Sequence, residues 1–412
     1  MAKNIVLLSD GTGNSAGKLF RTNVWRLYQA LDLSQTGPDG RPTQIAYYDD
    51  GVGTSAFKPL ALLGGAFGWG LKRNVLDLYT FLCRNYQHEY FDANGRLVLD
   101  KGKPVRDSIR AFGFSRGAFT IRVLTGLINS QGLVKAESEE ELRHLAAQAF
   151  REYRRTYKTA TGVEKVARTA RDYLMKPLPK AVPTRTIPPL EIKIQFLGLW
   201  DTVAAYSLPI DELTRAWGWV FPLSVPDREL CGNVERACHA LALDDERNTF
   251  HPVLWNEENL PSKKTIREET VTQVWFSGMH AGVGGGYPDD ALAYVSLEWM
   301  LREAENVGVI FKPDALKEAK EAKDVFGKLH DSRQGLGGAY RYLPRKLKRL
   351  TKDDDDKKNR VVISRPKIHE SVFQRVDRGT DAYAPIVLPA RYAVVDAAGA
   401  IHDQPATGGA PA

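Results

Sequence analysis

The five residues at 113–117 (GFSRG) constrain the fold of this chain more than any other segment. An apolar run at 108–114 predicts a buried strand, and apolar residues at helical spacing begin directly after Ser115. Passing from a strand into a helix at one residue requires a sharp turn, and the flanking glycines leave room for its crowded backbone. The pattern predicts that the Ser115 hydroxyl projects from the edge of a sheet. The alternative is a junction in which Ser115 only caps the helix.

Apolar runs and helical patterns alternate along the chain, which is typical of a mostly parallel central sheet with helices on both faces. The predicted strands are 4–8, 44–48, 108–114, 192–200 and 272–277. The predicted helices are 74–86, 116–129, 138–157 and 290–306. We therefore predict an α/β fold of the α/β-hydrolase type. Its loops rich in Gly, Asp and Ser would lie at the carboxyl edge of the sheet, where such folds bind ligands.

The chain is predicted to form a single domain over residues 1–393, with two additions to the sheet. Residues 135–187 are helical and charged, then proline-rich, and are predicted to form a helical cap insertion over the site. Residues 312–362 are predicted to form a charged insertion. Residues 394–412, rich in Ala, Gly and Pro, are predicted to be a disordered tail.

A nucleophilic serine needs a base, and His280 is the strongest candidate among the eight histidines. It follows the strand at 272–277 and leads into a glycine-rich stretch, so its side chain is free to reach a neighbouring loop. His251 is a second candidate. His239 is predicted to be a packed core residue on a helix, in a stretch that also holds Cys231 and Cys238.

The acid that would orient this base is predicted to be Asp201, which ends the longest apolar strand. A carboxylate at that position is partly buried, which is unfavourable unless it is paired. The order Ser115, Asp201, His280 along the chain is the nucleophile–acid–histidine order of α/β-hydrolases. Asp289 and Asp290 are rivals, but they lie so close behind His280 that they are better placed to cap the next helix.

The oxyanion hole is predicted to use the backbone N–H of Arg116 and donors from the loop that contains Gly11 and Thr12. The same loop, from Gly11 to Ala16, also matches the G-x-G-x-x-A pattern of dinucleotide sites. The next helix is expected near Thr22, too late for its N-terminus to meet a pyrophosphate. We therefore predict no cofactor.

Composition narrows the remaining classes of protein. The formal net charge of +7 is mild for 412 residues, and no stretch interleaves aromatic and basic residues as single-strand binders do, so no nucleic acid partner is predicted. The apolar N-terminal run is too short for a signal peptide. We expect synthesis in the cytoplasm, with the three cysteines reduced. The oligomeric state is left open.

These motifs together resemble a family of uncharacterised α/β-hydrolases that includes the catalytic domain of type VI secretion phospholipase effectors. The matching stretches are SDGTGN at 9–14, YYDDGVGT at 47–54, GFSRGA at 113–118, GLWDTV at 198–203, HAGVGGGY at 280–287 and the region of Ile368, His369, Ser371 and Val372. The resemblance implies a triad of Ser115, Asp201 and His280 and hydrolysis of lipid esters. It is also compatible with delivery by a specialised secretion system without a signal peptide.

The leading hypothesis is a serine esterase or lipase that acts on a lipid or small ester and needs no metal. A second hypothesis is a metal-dependent phosphoesterase, in which Asp10, Asp201 and His280, with Asp289 or Asp290, hold a divalent ion. A third is a non-catalytic binding module with the same fold.

Peripheral contact with an anionic membrane is predicted from one further segment. Leu343, Leu347 and Leu350 alternate there with basic residues, which indicates an amphipathic, lipid-facing helix. A solvated charged loop is the alternative. The basic residues are Arg341, Arg345, Lys346, Lys348 and Arg349.

Overall fold

The computed structural model describes residues 2–11, 20–51, 66–156, 186–203, 228–331, 342–345, 347, 361–363 and 365–404. The strands in this part of the chain are β1 (Asn4–Ser9), β2 (Gln44–Asp49), β3 (Leu99–Asp100), β4 (Lys103–Pro104), β5 (Ser108–Phe114), β6 (Leu133–Val134), β7 (Thr186–Ile187), β8 (Ile194–Trp200), β9 (Ala237–Ala242), β10 (Val271–Phe276), β11 (Lys367–His369), β12 (Ala393–Val395) and β13 (Ile401–Asp403). The helices are α1 (Asn23–Ala30), α2 (Ala66–Asn85), α3 (Arg116–Gln131), α4 (Glu139–Thr156), α5 (His280–Gly284), α6 (Ala293–Asn306), α7 (Ala315–Ala322) and α8 (Glu370–Arg378).

Nine strands form one sheet in the order β13-β12-β11-β10-β9-β8-β5-β1-β2. Every neighbouring pair is parallel except β12 and β13. The five strands predicted from apolar runs correspond to β1, β2, β5, β8 and β10. The predicted α/β class with a mostly parallel central sheet is therefore confirmed.

Helices cover both faces of this sheet because alternate residues of each strand point to opposite sides. On one face, Ile5 and Leu7 of β1 join a buried cluster with α2, α3 and α4. On the other face, Val6 and Leu8 join a cluster with α1, α6 and α7. The strands in the middle of the sheet are buried on both sides, which is why their sequences are mostly apolar.

The strand order reverses direction between β1 and β5. The chain passes from β1 to β2 on one side, then returns to place β5 on the other side of β1. Ser9 at the end of β1 is in register with Gly113 at the end of β5. The loops that follow these two strands therefore diverge at a topological switch point, which is where open α/β sheets bind their ligands.

The prediction that the stretch around Cys238 and His239 is helical is wrong, because these residues lie in the buried strand β9. The sequence of this strand, ACHALA, has no β-branched residue and no polar alternation. Local propensity favours a helix for such a run. Parallel pairing with β8 and β10 on both edges overrides that preference.

The prediction of a disordered tail from residue 394 is wrong up to residue 403. Strands β12 and β13 form a hairpin there, and Ile401 packs into the core. The Asp396 carboxylate accepts hydrogen bonds from the backbone of Ala398 and Ala400, which fixes the turn between the strands. Residues 405–412 lie outside the described part of the chain.

The structure describes only the first part of the predicted cap insertion. Helix α4, at the start of the predicted cap, packs against α2 and α3 through buried residues such as Phe150 and Tyr153. Residues 157–185, which hold the rest of that prediction, are outside the described residues. No helix within the described ranges is long and apolar enough to cross a membrane.

Candidate active site

The turn that carries Ser115 has the strained geometry that its sequence predicts. Ser115 adopts φ 59° and ψ −123°, between the last residue of β5 and the first residue of α3. A Cβ at Gly113 would lie 2.7 Å from the backbone of Ala118, and one at Gly117 would lie 2.0 Å from the carbonyl oxygen of Ser9. Both glycines are therefore sterically required. A non-glycine residue with positive φ at a sheet edge is typical of a functional position.

His280 lies beside this turn as the first residue of the short helix α5. Its Nε2 atom is 2.8 Å from Ser115 Oγ. The imidazole packs against the ring of Phe114, with centroids 4.6 Å apart, and makes a T-shaped contact with the Phe250 ring. Its backbone N–H donates to the Asp245 carboxylate. These contacts fix the ring and shield it from water.

Asp201 follows β8, and its Oδ2 atom is 2.7 Å from His280 Nδ1. Because an ionised carboxylate only accepts hydrogen bonds, Nδ1 must donate the proton. Nε2 is then the unprotonated nitrogen that can accept the proton of Ser115. Asp201 Oδ1 accepts from the backbone N–H of Ala242 in β9. The structure thus brings together the three residues that the sequence indicates, from positions up to 165 residues apart.

Arg345 also binds Asp201, a contact that was not predicted from the sequence. Its Nη1 and Nη2 atoms donate to Asp201 Oδ1 and Oδ2 at 2.6 and 2.9 Å. Both side chains are almost completely buried. Neither the spacing nor the composition around residue 345 indicates this contact. Asp245 was missed because the strand that precedes it, β9, was predicted to be a helix.

The electrostatics of the site favour a charged acid and a neutral base. Burial alone would raise the pKa of Asp201, but the charge of Arg345 and the hydrogen bonds from His280 and Arg345 hold it well below its usual value. Burial lowers the pKa of His280, and this effect outweighs the opposing influence of Asp201. At neutral pH His280 is therefore unprotonated and can accept a proton.

The end of β1 lies against the serine turn, where a Cβ on Gly117 would lie within 2.5 Å of the carbonyl oxygens of Ser9 and Asp10. Arg116 begins α3, so its backbone N–H is at a helix N-terminus, where negative charge is favoured. The backbone N–H of Gly11 donates to the Asp10 carboxylate at 2.6 Å. Asp10 also accepts from Thr22 and Tyr48, and burial raises its pKa to about 6. Thr12 lies outside the described residues.

A family model described as "T6SS, Phospholipase effector Tle1-like, catalytic domain" matches residues 3–303. The chain belongs to this Tle1-like family. The match contains Ser115, Asp201 and His280, whereas Arg345 lies beyond it.

Similar proteins include one of unassigned function from yeast. "Uncharacterized protein YEL023C" of Saccharomyces cerevisiae is 28% identical over 268 residues, which is 60% of this chain and 32% of that protein. This chain thus spans about a third of the length of that curated relative. Among solved structures, an uncharacterized protein from Pseudomonas aeruginosa has a TM-score of 0.41 and 17% identity, and covers 79% of this chain and 49% of its own. The Tle1 effector bound to the VgrG spike from the type 6 secretion system has a TM-score of 0.42 and 14% identity, with coverage of 82% and 78%.

The rival site residues of this Tle1-like chain are engaged elsewhere. His251 Nε2 lies 3.0 Å from the carbonyl oxygen of Leu343. Asp290 forms an ion pair with Arg26 of α1 and accepts from the backbone of Gly286. His239 is buried in β9, where its Nε2 accepts from the backbone N–H of Thr202. In the described ranges, no group of three or more His, Cys, Asp or Glu side chains is arranged to hold a metal ion.

The prediction of a lipid-facing helix is wrong for Arg345 and Leu347, which are both buried. Leu347 is fully buried in a cluster with Leu241 and Ile368, and Arg345 is buried against Asp201. Leu343, by contrast, is exposed. The remaining basic residues of the segment, and Leu350, are outside the described part of the chain. At these two positions burial replaces the predicted lipid contact, because Arg345 pairs with a buried carboxylate and Leu347 packs among apolar side chains.

Proposed function

We propose that this Tle1-like chain is a serine hydrolase that cleaves the carboxylic esters of lipids, with phospholipid acyl esters as the leading substrate class. Ser115 is the nucleophile, His280 the general base and Asp201 the acid that orients it. The observation that carries the proposal is the line of two hydrogen bonds, 2.8 Å from Ser115 Oγ to His280 Nε2 and 2.7 Å from His280 Nδ1 to Asp201 Oδ2. The family's description supplies the lipid substrate.

In the proposed acylation step, Ser115 Oγ attacks the ester carbonyl carbon while its proton passes to His280 Nε2. The carbonyl π electrons move to oxygen, and the resulting oxyanion lies near the N-terminus of α3, where the backbone N–H of Arg116 can donate. Collapse of this intermediate breaks the bond to the alcohol. His280 returns the proton to the leaving oxygen, and an acyl-enzyme remains on Ser115.

In the proposed deacylation step, a water molecule takes the place of the alcohol. His280 accepts its proton while the oxygen attacks the acyl carbon, and the bond to Ser115 Oγ then breaks as His280 protonates that oxygen. Asp201 stays ionised throughout because Arg345 and the Ala242 N–H stabilise its charge. The imidazolium formed in each step lies next to this carboxylate, which lowers the energy of the transition state.

The arrangement around Asp201 favours this reaction over a metal-dependent phosphoesterase. Both of its oxygens accept from Arg345, and this cation would repel a divalent ion at the same carboxylate. Asp10 instead accepts hydrogen bonds from Thr22 and Tyr48. The Gly11 N–H would need to turn from Asp10 toward substrate if it is the second oxyanion donor.

A fluorophosphonate probe and a Ser115→Ala variant test the proposal. We expect the probe to label Ser115, and Ser115→Ala to lose both labelling and hydrolysis of p-nitrophenyl esters and phospholipid vesicles. Ser130→Ala is the matched control, since Ser130 is exposed on the same helix α3. Full turnover by Ser115→Ala would overturn the serine mechanism. Loss of wild-type activity in a chelator, without labelling, would favour the phosphoesterase.

Membership of a type VI effector family also supports delivery by a specialised secretion system as part of the proposal. Release of the chain into the medium, compared between a producing strain with and without a working secretion apparatus, tests it. Equal release from both strains would refute this part without affecting the hydrolase proposal.

A further inference from the structure

Arg345 donates hydrogen bonds to Asp201 and also to the segment of the chain that contacts His280. Besides its fork on Asp201, its Nε donates to the carbonyl oxygen of Asp245 at 3.0 Å. Its Nη2 also donates to the carbonyl oxygen of Phe250 at 3.1 Å. These two carbonyls belong to the segment that lines His280, since Phe250 contacts its ring and Asp245 binds its backbone N–H. The guanidinium of Arg345 thus links Asp201 to the segment that contacts His280.

Such a network is costly to build unless the pairing is complete. A buried guanidinium is strongly destabilising without partners, and a planar fork on a carboxylate fixes orientation as well as charge. The fork leaves Asp201 Oδ2 to be shared between Arg345 and His280. The position of the carboxylate relative to the imidazole is therefore set by Arg345 and Ala242 on one side and His280 on the other.

We propose, on the basis of the serine hydrolase function above, that Arg345 is a positioning residue, which holds the Asp201 carboxylate in line with His280 and partly neutralises it. It contacts no substrate atom in this role. A carboxylate next to a histidine normally stabilises the imidazolium, and a cation on the same carboxylate weakens that effect. The consequence is that His280 remains unprotonated, and therefore active as a base, at lower pH.

The other groups around His280 are consistent with this balance. Asp245 favours the protonated ring, whereas Arg247, which is paired with Asp245, opposes it. The rings of Phe114 and Phe250 exclude water on two sides. Asp245 and Arg247 thus act on His280 in opposite directions, and burial, Asp201 and the cation paired with Asp201 are the remaining influences on the charge of the ring.

The pH dependence of kcat/KM for a soluble ester tests the inference. Arg345→Gln removes the cation, so we expect the acidic limb to move upward by about one pH unit. We also expect kcat to fall at least tenfold at pH 8 with little change in KM. Arg345→Lys keeps the charge but not the fork, and should retain the wild-type acidic limb with a reduced kcat. Arg110→Gln is the matched control, because Arg110 is a buried arginine bound to the Val307 carbonyl at the opposite end of β5.

The outcomes separate this inference from the proposed function. An Arg345→Gln variant with the wild-type acidic limb and kcat, while Ser115→Ala is inactive, would overturn the role of Arg345 alone. Activity in Ser115→Ala would overturn the function first. If Arg345→Gln does not fold, the Lys variant and the wild-type profile decide. The inference requires a wild-type acidic limb below about pH 6.5, the ordinary pKa of histidine, and a limb above it would refute it.

Discussion

A side chain at Gly117 would clash with the backbone at the end of β1, so Gly117→Ala is the sharpest test of the serine turn. The added Cβ would lie 2.0 Å from the Ser9 carbonyl oxygen and 2.5 Å from that of Asp10. Ordinary van der Waals contact begins at 3.4 Å. Helix α3 and the end of β1 would therefore have to separate by about 1.4 Å. Both partners are backbone atoms, so no side-chain rotation can relieve the clash.

The expected effect is large on activity and moderate on stability. Overpacking of a rigid site destabilises by about 1–3 kcal/mol, and the backbone contact places Gly117→Ala at the upper end of that range. Because Ser9 leads into the loop of Gly11, the shift also moves this loop relative to Ser115. A displacement of about 1 Å at a catalytic group lowers the rate on the order of 100-fold. Urea denaturation gives the first quantity, and kcat/KM for a p-nitrophenyl ester gives the second.

Gly282→Ala is the matched control, since Gly282 lies two residues after His280 and a Cβ there would meet no atom within 4 Å. This variant should keep the stability and the activity of the wild type. The reasoning fails if Gly117→Ala is as active as Gly282→Ala, or if its free energy of unfolding stays within about 0.5 kcal/mol of the wild type.

Two further predictions concern buried residues outside the serine turn. Leu347→Ala should lower the free energy of unfolding by about 2–5 kcal/mol, because Leu347 is fully buried. It should leave co-sedimentation with anionic vesicles unchanged. Unchanged stability with weaker vesicle binding would restore the lipid-facing interpretation. Burial lowers the pKa of His369 to about 3. Between pH 3 and 6.5, therefore, only the unfolded chain binds a proton at this residue, and the free energy of unfolding falls as the pH falls through this range. His369→Asn keeps a side chain suited to the N-cap of α8, and urea denaturation at pH 7 and pH 5 should show the wild type losing about 2 kcal/mol relative to it. An unchanged difference between the two pH values would contradict this prediction.

Much of the fold follows from local patterns in the sequence. Strand β5, the glycines at 113 and 117 and helix α3 are neighbours in the chain, so their apolar spacing and small residues directly report the turn they form. Asp201 and His280 are each found at the end of a predicted strand. In a parallel sheet all such ends meet at one edge, and proximity to Ser115 could therefore be anticipated without coordinates.

The sequence patterns failed where long-range contacts decide the structure. Strand β9 has a helix-prone composition, and only pairing with β8 and β10 makes it extended. The short hairpin of β12 and β13 is likewise stabilised by packing of Ile401 into a core formed by distant segments. In both places the local preference is weak, and the tertiary environment overrides it.

The sequence by itself determined the α/β architecture, the serine turn and the residues that end its strands, because each of these depends on residues a few positions apart. Only the tertiary structure decided which charge accompanies the acid. Arg345 and Asp201 are 144 positions apart, and a basic residue between leucines has the same local pattern on a membrane-facing helix and in a buried ion pair. What distinguishes the two is the carboxylate opposite the guanidinium, and its position is set by the folding of the whole sheet.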